Sequence, residues 1–460
     1  MERGPAIDIA QILEQGKISR FQLRVLALGI LALFVNGLDY SAVNVAAPAL
    51  LRAFHAGRSD MGPVFGWSFF GIFLGSVLFG AVGDRYGRKP GLILSVLAYS
   101  VPALLCTSAH SLAEFSLYRL IAGLGIGGAV PNTIALLTET APTRYRVTFV
   151  MAAFVGYSTG NAAIAQVAAW FVPSQGWQIV FLVAGGLGLA LSVLLALTLY
   201  ESLPYLAVTR PGDSTLRKLA ARAAPDLVIP QNAHLVASGN AATRFSLDLL
   251  FSSYRRIATP LLWIGFFAES LTFMTYSAWL AVILEQSGLA PRAAALTFSY
   301  GAFAAIVAIL LFGRLIDRFG PRTTVIPAVL TALCVAALGS GRLSLPGLSV
   351  VAVLAMGCAA ATHQSLNGIV GSFYPTSFRG NGVGYATGMG RISSIIGPVF
   401  VGWLMAANTP LQVTLVAIAA PELVVAAAAV GLHIVRNSRA AAGDFKTIAI
   451  ANEGAGRQAA

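Results

Sequence analysis

Charged residues are scarce in this chain. They make up 10% of its 460 residues, against 57% for hydrophobic residues, whereas soluble domains carry about 25% charged residues. A chain this long and this apolar cannot hide all its hydrophobic surface in a water-soluble core, so most of it is expected to face lipid. Cysteines number only three, Cys106, Cys334 and Cys358, all within apolar runs and none at a metal-ligand spacing. Disulfides and metal sites are therefore not expected.

Motifs of catalysis and nucleotide binding are missing as well. The sequence has no Ser-His-Asp pattern, no zinc-ligand spacing and no phosphate-binding loop, so we predict neither an enzyme nor an ATP-driven pump, and no cofactor. The formal net charge of +12 would suggest a nucleic-acid partner in a soluble protein. A clustered basic face with interleaved aromatic residues is not found, so nucleic acid is not predicted as a partner.

Apolar stretches of the roughly 20 residues needed to cross a bilayer recur along the whole chain. They predict an all-α membrane protein with twelve transmembrane helices, which we call spans one to twelve, with lipid as their surroundings. The predicted spans are 24–51, 63–83, 90–108, 114–138, 146–171, 177–200, 259–284, 293–313, 324–341, 347–373, 381–405 and 410–435.

Basic residues fall mainly in alternate loops. With both termini placed in the cytoplasm, 24 Lys and Arg residues lie on the cytoplasmic side and four on the other side. Two more, Arg119 and Arg391, fall inside spans. The positive-inside rule then predicts a multi-pass inner-membrane protein with both termini cytoplasmic.

A polar, proline-punctuated stretch divides the chain into two halves of six spans. Together with the predicted spans and orientation, this division gives five parts. They are a cytoplasmic N-terminal tail at 1–23, a six-helix bundle at 24–200, a cytoplasmic central loop at 201–258, a second bundle at 259–435 and a cytoplasmic C-terminal tail at 436–460. A short amphipathic helix is expected near 215–224.

The two halves share sequence at a fixed offset of 233 residues. Leu78-Phe-Gly-Ala-Val-Gly-Asp-Arg-Tyr-Gly-Arg returns as Leu311-Phe-Gly-Arg-Leu-Ile-Asp-Arg-Phe-Gly-Pro-Arg, and Pro142-Thr-Arg-Tyr-Arg146 aligns with Pro375-Thr-Ser-Phe-Arg379. Repeats of this kind predict two pseudo-symmetric bundles with a transport site at their interface, near the bilayer midplane.

The loop after span two contains a candidate gating network. Gly83 and Gly87 permit a tight turn, and the charges of Asp84, Arg85 and Arg88 can latch one side of the protein shut and separate when the halves rock. The alternative is a plain cluster of stop-transfer charges. Asp317 and Arg318 repeat part of the pattern.

These motifs resemble those of a known family. The loop Gly83-Asp-Arg-Tyr-Gly-Arg-Lys89 resembles the signature loop of the major facilitator superfamily, and Arg119-x-x-x-Gly123-x-x-x-Gly127 resembles its span-four motif. The resemblance covers the whole chain. It implies the major facilitator fold, transport by alternating access, and a place for Glu139, Arg146 and Arg379 in the inner gating network.

Further stretches are similar to the aromatic acid:proton symporter family. They are Asn36-Gly-Leu-Asp39, Gly123-Leu-Gly-Ile-Gly-Gly-Ala-Val-Pro-Asn132, Phe373-Tyr-Pro-Thr-Ser-Phe-Arg379 and Gly388-Met-Gly-Arg391. This resemblance implies symport of a small aromatic acid with protons. One position departs from it, because the family pattern in span one begins with an aspartate where this chain has Asn36.

Ionisable residues inside spans are candidates for function, since burying a charge in a membrane is costly. Asp39 in span one and Arg119 in span four can pair if both face the cavity, and a carboxylate near a cation can couple protonation to substrate occupancy. A permanent structural ion pair is the alternative.

A second set of polar residues shares one depth near the middle of the membrane. At about 1.5 Å per residue, Glu269 in span seven, Arg391 in span eleven and His363 in span ten lie at similar heights. Glu269 is also the repeat equivalent of Asn36, so we predict that it takes over part of the proton-linked role. The alternative is a structural Glu269–Arg391 pair.

Arg391 is the natural counter-ion for a substrate carboxylate, through a bidentate contact. The predicted substrate-binding residues are Arg391, His363, Gln364, Asn367, Tyr276, Trp279 and Asn36. For Arg391, His363, Tyr276 and Trp279, ordinary helix packing is the alternative.

The sequence therefore predicts a secondary transporter that imports a small aromatic or related organic carboxylate with protons, working as a monomer. Two alternatives stay open: a major facilitator transporter of another solute class, such as a sugar, dicarboxylate or drug, and a membrane sensor that binds a solute without transporting it.

Overall fold

A computed structural model describes residues 6–15, 18–210, 213–225, 227, 230, 234–236, 247–375 and 378–441. Within them, twelve helical segments are long and apolar enough to cross a membrane, as predicted. Spans one to eleven are the helices Arg20–Ala53, Met61–Tyr86, Arg88–Cys106, Leu112–Thr140, Arg146–Gln175, Gln178–Thr198, Arg255–Gln286, Pro291–Phe319, Val325–Leu338, Leu345–Val370 and Arg379–Ala406, and span twelve is Leu411–Ala419 followed by Pro421–Ala441.

Local sequence signals set where several spans begin. Span one starts with a capping box, in which the Ser19 hydroxyl accepts from the Gln22 backbone N–H and the Gln22 side chain accepts from the Ser19 N–H. Serine side chains also cap span four and span ten, where Ser111 and Ser344 accept from the backbone N–H groups of Glu114 and Gly347. These caps satisfy backbone N–H groups that have no partner inside the helix.

Span twelve is interrupted, which hydropathy did not predict. Its first helix ends at Ala419 and its second begins at Pro421. Proline fixes its own φ and donates no backbone hydrogen bond, so it is well placed in the first turn of a new helix. The break puts Glu422 in the first turn of the second helix.

The central loop contains local structure. The helix predicted near 215–224 is present as Ser214–Ala223, and its apolar residues Leu216, Leu219 and Ala220 are buried. A second short helix, Leu203–Thr209, precedes it. The strand His234–Val236 pairs in parallel with Ala6–Asp8 near the N-terminus, and the helix Ile9–Gln15 follows that strand. Neither the strand pair nor the N-terminal helix was predicted.

The chain forms two compact units. The first comprises residues 1–241, 278–303 and 398–407, and the second comprises 242–277, 304–397 and 408–460. The first unit therefore includes one end each of spans seven, eight and eleven. Gln166 of span five donates a hydrogen bond to Ser299 of span eight at 2.9 Å, and the Ser299 hydroxyl donates to the carbonyl of Ala162 at 3.1 Å.

Close packing of spans two and four depends on glycine. A Cβ placed on Gly75 would lie 1.9 Å from the carbonyl oxygen of Leu124, and one on Gly127 would lie 2.0 Å from that of Ile72. Small residues let helix backbones approach this closely in lipid. The predicted span-four glycine pattern therefore has a packing role.

The repeat is visible in hydrogen bonds as well as in sequence. The Arg146 side chain donates to the carbonyl of Ala141 at 3.4 Å, and Arg379, its equivalent, donates to the carbonyl of Tyr374 at the same distance. Gly87 and its equivalent Gly320 both have positive φ, at 111° and 78°. Thr376 and Ser377, within the second copy of the repeat, lie outside the described residues.

Candidate functional site

The first unit holds a buried ion pair between spans one and four. Nη1 of Arg119 lies 3.1 Å from Oδ1 of Asp39, and the two side chains are 1% and 0% exposed. The other terminal nitrogen of Arg119 donates to the backbone carbonyl of Asp39 at 3.2 Å, and the guanidinium lies over the Phe181 ring. The predicted pairing is therefore present. Its role in proton coupling remains a prediction.

Polar atoms near this pair are incompletely hydrogen-bonded. Asn36 donates to the carbonyl of Ile126 at 3.2 Å, but its Oδ1 is buried with no hydrogen-bond partner among the described residues. The same is true of Nε of Arg119 and the hydroxyl of Tyr99. Buried polar atoms without partners are rare and costly, which makes this region a candidate for function.

The second unit holds a carboxylate–imidazole pair between spans seven and ten. Nδ1 of His363 lies 2.7 Å from Oε2 of Glu269, and the hydroxyl of Ser270 donates to the same oxygen at 3.1 Å. Glu269 is fully buried, whereas the His363 side chain is 26% exposed. Glu269 and His363, which were predicted to lie at similar heights in the membrane, are therefore in contact. Glu269 pairs with His363 rather than with Arg391.

An aromatic ring covers the imidazole. Phe273, one turn beyond Glu269 in span seven, stacks on His363 with 5.3 Å between ring centroids and 24° between ring planes. Asn367 donates to the backbone carbonyl of His363 at 2.9 Å. Gln364 is half-buried beside it. Span ten thus presents an imidazole and two amides along one stretch of helix, and their predicted contact with substrate remains a prediction.

Arg391 has no acidic partner among the described residues. It lies in the middle of span eleven and is half-buried, and its backbone carbonyl accepts a hydrogen bond from the Ser394 hydroxyl at 2.7 Å. A guanidinium without a counter-ion in a membrane span is costly and keeps all its donors available for an anion.

Two aromatic residues predicted to bind substrate, Tyr276 and Trp279, are fully buried between packed helices. The Tyr276 hydroxyl donates to the carbonyl of Ala352 at 3.0 Å, and Nε1 of Trp279 donates to the carbonyl of Pro398 at 3.2 Å. Phe65 meets the Trp279 ring edge to face. Both side chains tie helices together in this structure, and their predicted role in substrate binding remains untested by it.

Glu422 is a buried carboxyl group with no visible partner. Neither of its oxygens has a hydrogen-bond partner among the described residues, and the residue is 0% exposed. Its position in the first turn of a helix favours an anion by about 0.3–1 kcal/mol. Removing an ionised carboxylate from water costs several kcal/mol. The helix dipole therefore offsets only part of the cost of burying a charge on Glu422.

Asp84 and Arg88, two of the charges predicted to form a gating network after span two, are in contact, and their role in gating remains a prediction. Arg88 makes a salt bridge with Asp84 and another with Glu139, the latter at 3.0 Å. Glu139 also accepts a hydrogen bond from Ser202. Glu201 accepts from the backbone N–H groups of Arg88 and Lys89 at 2.8 and 3.2 Å. Burial raises the pKa of the Glu201 carboxyl, while these backbone hydrogen bonds oppose the rise.

Two positions in this loop leave no room for a side chain larger than that of glycine. Gly87 has φ of 111°, and a Cβ there would lie 2.2 Å from Oε2 of Glu201. A Cβ on Gly83 would lie 1.8 Å from Oδ1 of Asn132.

The other predicted gating residues make local contacts. Arg85 lies over the neighbouring Tyr86 ring and Arg318 over Phe319. The Asp317 side chain lies outside the described part of the structure.

An apolar cavity of about 600 Å³ lies in the second unit beside spans seven, eleven and twelve. Its lining includes Trp263, Phe267, Met389 and Pro421 and has no charged side chain. An organic anion would lose its hydration there without gaining a counter-ion, so we do not assign the substrate to this cavity. In the described residues, no group of three or more His, Cys, Asp or Glu side chains is arranged to hold a metal ion.

Twelve membrane-crossing helices, a repeated half and scarce charges within the spans define a membrane transport protein rather than an enzyme. The family model of the Major Facilitator Superfamily matches residues 29–338 and 262–448. The chain belongs to that superfamily.

Similar proteins match most of the chain. It is 32% identical to the gallate transporter of Pseudomonas putida, over 90% of this chain and 93% of that one. It is 29% identical to the 4-hydroxybenzoate transporter PcaK of Acinetobacter baylyi, over 88% and 89%. Its fold matches the solved xylose transporter XylE from E. coli with a TM-score of 0.66 at 14% identity, covering 89% of this chain and 97% of that one.

Three structural features were missed by the sequence predictions. Ser270 as a partner of Glu269 had no sequence signal beyond adjacency. Glu201 next to the charge network was assigned to a loop without chemistry, although its position after span six was a signal. The ion pair between Arg52 and Glu285, at 2.5 Å, was marked by the repeat offset, which relates these two positions.

Proposed function

We propose that the protein imports a small aromatic carboxylate together with protons by alternating access. The observation that carries this proposal is the half-buried Arg391 guanidinium with no acidic partner among the described residues. A carboxylate is the ligand that best matches its planar set of N–H donors, because it accepts two parallel hydrogen bonds.

Proton coupling is supported by the pair of Glu269 and His363. Histidine is the side chain whose charge changes most readily near neutral pH, and its Nδ1 contacts a fully buried carboxylate. Gain or loss of a proton therefore changes the charge of this pair. Because a membrane interior screens charge weakly, that change affects how well a nearby anion binds. Asp39 and Arg119 are the second candidate pair for this role.

The choice of an aromatic substrate is supported by two observations. Relatives at 32% and 29% identity are named for gallate and 4-hydroxybenzoate, both of which join a carboxylate to an aromatic ring. The half-buried Phe273 and His363 rings are stacked in the same unit as Arg391. Aromatic faces of this kind suit a flat ring.

Orientation and assembly are part of the proposal. The excess of 24 basic residues over four supports an inner-membrane protein with both termini in the cytoplasm. We propose that a monomer carries out transport.

Uptake by purified protein in liposomes tests this function. Radiolabelled 4-hydroxybenzoate, gallate, benzoate, muconate and xylose are offered with and without an inward proton gradient. We expect accumulation of one or more aromatic acids that collapses when a protonophore removes the gradient.

Liposomes without protein and protein offered xylose are the controls. Accumulation of xylose or muconate instead of an aromatic acid would reject the substrate class. Aromatic-acid flux that ignores the proton gradient would reject symport.

A further inference from the structure

Glu422 is the buried ionisable group that the proposed mechanism does not use. We propose that Glu422 and Glu269 share one proton, which Glu422 holds while Glu269 is paired with His363. This inference rests on the proposed function, because it adds a proton-binding residue to the same transport site. The sharing of this proton does not depend on which solute is carried.

Among the described residues, none that interacts electrostatically with Glu422 is a cation. The groups that interact electrostatically with it are the carboxylate of Glu269 in span seven and the thiol of Cys358 in span ten. No Lys or Arg among the described residues contributes. Both oxygens are buried without hydrogen-bond partners, so the ionised form would have neither a counter-ion nor a donor. A neutral, protonated carboxyl group is the form that this environment accepts.

Spans seven and twelve are joined at the level of these two acids. The Thr272 hydroxyl donates to the carbonyl of Ile418 at 2.8 Å. Thr272 follows Glu269 by three residues in span seven, which is close to one helical turn. Ile418 precedes Glu422 by four residues, just before the interruption at Ala420. The hydrogen bond therefore holds the two carboxyl groups in neighbouring turns.

Two like charges in one buried region cannot both be present at low cost. Oε2 of Glu269 is engaged by His363 and Ser270, whereas its Oε1 has no hydrogen-bond partner among the described residues. Because Glu269 has the partners that stabilise a negative charge, the shared proton stays on Glu422. The first helical turn at Glu422 lowers the cost of ionising it when the proton leaves.

Movement of the proton neutralises Glu269, the partner of His363, without changing the summed charge of the two carboxyl groups. When the proton passes from Glu422 to Glu269, Glu422 becomes the carboxylate and Glu269 the neutral acid. A protonated His363 then has no carboxylate counter-ion and is free to release its proton or to attract a substrate anion. This exchange would link proton binding in span twelve to the partly exposed imidazole of His363.

Infrared difference spectroscopy on the reconstituted full-length protein, recorded without substrate over a pH series, tests the proposal. We expect a protonated-carboxyl C=O band that Glu422→Gln removes and Glu422→Asp shifts. Glu269→Gln should lower the midpoint pH of that band by about one unit, because it removes the repulsion that favours the proton on Glu422. Glu285 lies in the same span as Glu269 and is paired with Arg52 of span one. Glu285→Gln is therefore the matched control and should leave the midpoint unchanged.

The outcomes separate this inference from the proposed function. An infrared spectrum that Glu422→Gln leaves unaltered, or a midpoint that Glu269→Gln does not move, overturns the shared proton. If Glu422→Gln does not fold, Glu422→Asp and Glu269→Gln still give the comparison. A positive spectrum together with no uptake of any aromatic acid would instead overturn the proposed function alone.

Discussion

Arg52 and Glu285 form an ion pair between positions that are equivalent in the two halves of the chain. Their side chains meet at 2.5 Å, and they are 233 residues apart, which is the offset of the sequence repeat. Arg52 lies in the last turn of span one and Glu285 lies near the end of span seven. Opposite charges at one repeat position thus join the C-terminal ends of these two equivalent helices within the first unit.

This pair is expected to make a small contribution to transport. The Arg52 side chain is 55% exposed and that of Glu285 is 18% exposed, and exposed ion pairs are worth about 0.2–1 kcal/mol. Arg52→Gln or Glu285→Gln should therefore change the rate of substrate exchange by no more than about fivefold. The charge-swapped double variant, Arg52→Glu with Glu285→Arg, should recover most of the rate.

Exchange of labelled substrate across liposomes measures this effect. Arg58→Gln, an exposed arginine in the neighbouring loop, is the control and should behave like the unmodified protein. A double variant that performs worse than either single variant would show that the pair does not act through charge attraction.

Arg391 should matter for affinity more than any other basic residue. Charge-assisted hydrogen bonds contribute about 1.5–3 kcal/mol, so Arg391→Gln should raise the KM for an aromatic acid by roughly 10- to 100-fold. Arg391→Lys keeps the charge but not the paired donors. Its KM should lie between those of the unmodified protein and Arg391→Gln. Arg342→Gln, an exposed arginine outside the spans, is the control. Equal KM values for all four proteins would remove Arg391 from the binding site.

Glu269 should separate driven uptake from exchange. Glu269→Gln keeps the shape of the side chain but removes the charge that His363 contacts, so accumulation driven by a proton gradient should fall much further than exchange of substrate across the membrane. Ser270→Ala removes only a hydrogen bond to Glu269 and should have the milder effect. Equal losses of both activities in Glu269→Gln would indicate that Glu269 has a structural role.

The fold was largely predictable because apolar length sets where helices cross a membrane. The interruption of span twelve was not, since Ala420 and Pro421 leave the stretch apolar on average. Helical rise predicted that Glu269, His363 and Arg391 share a depth. It could not predict that Glu269 pairs with His363, because depth says nothing about the direction in which a side chain points. The repeat marked Arg52 and Glu285 as equivalent, but equivalence alone does not imply contact.

Loss of Asp84 should destabilise the protein less than loss of Arg88, because Arg88 has a second, less exposed partner in Glu139. Asp84 is 71% exposed and Glu139 is 24% exposed, and solvent weakens the more exposed pair. Asp84→Asn should cost about 0.5 kcal/mol or less in stability, whereas Arg88→Gln should cost about 1–3 kcal/mol because it leaves Glu139 half-buried without its cation. Thermal unfolding of the purified protein in detergent measures both, and a larger loss for Asp84→Asn would contradict this ranking.

Attachment of the N-terminal helix should weaken in acid. Glu14 accepts a hydrogen bond from the backbone N–H of Thr143 at 2.8 Å, and this bond holds the pKa of the Glu14 carboxyl below its usual value of 4.5. A group whose pKa is lowered by folding contributes stability above its unfolded pKa and loses that contribution as the pH falls through the folded pKa. Hydrogen exchange in residues 6–15 should therefore accelerate as the pH falls below about 4.5, after correction for the intrinsic exchange rate. Glu14→Gln should exchange faster than the unmodified protein at neutral pH and show little further acceleration in acid, whereas parallel pH profiles for the two proteins would mean that Glu14 does not anchor the helix.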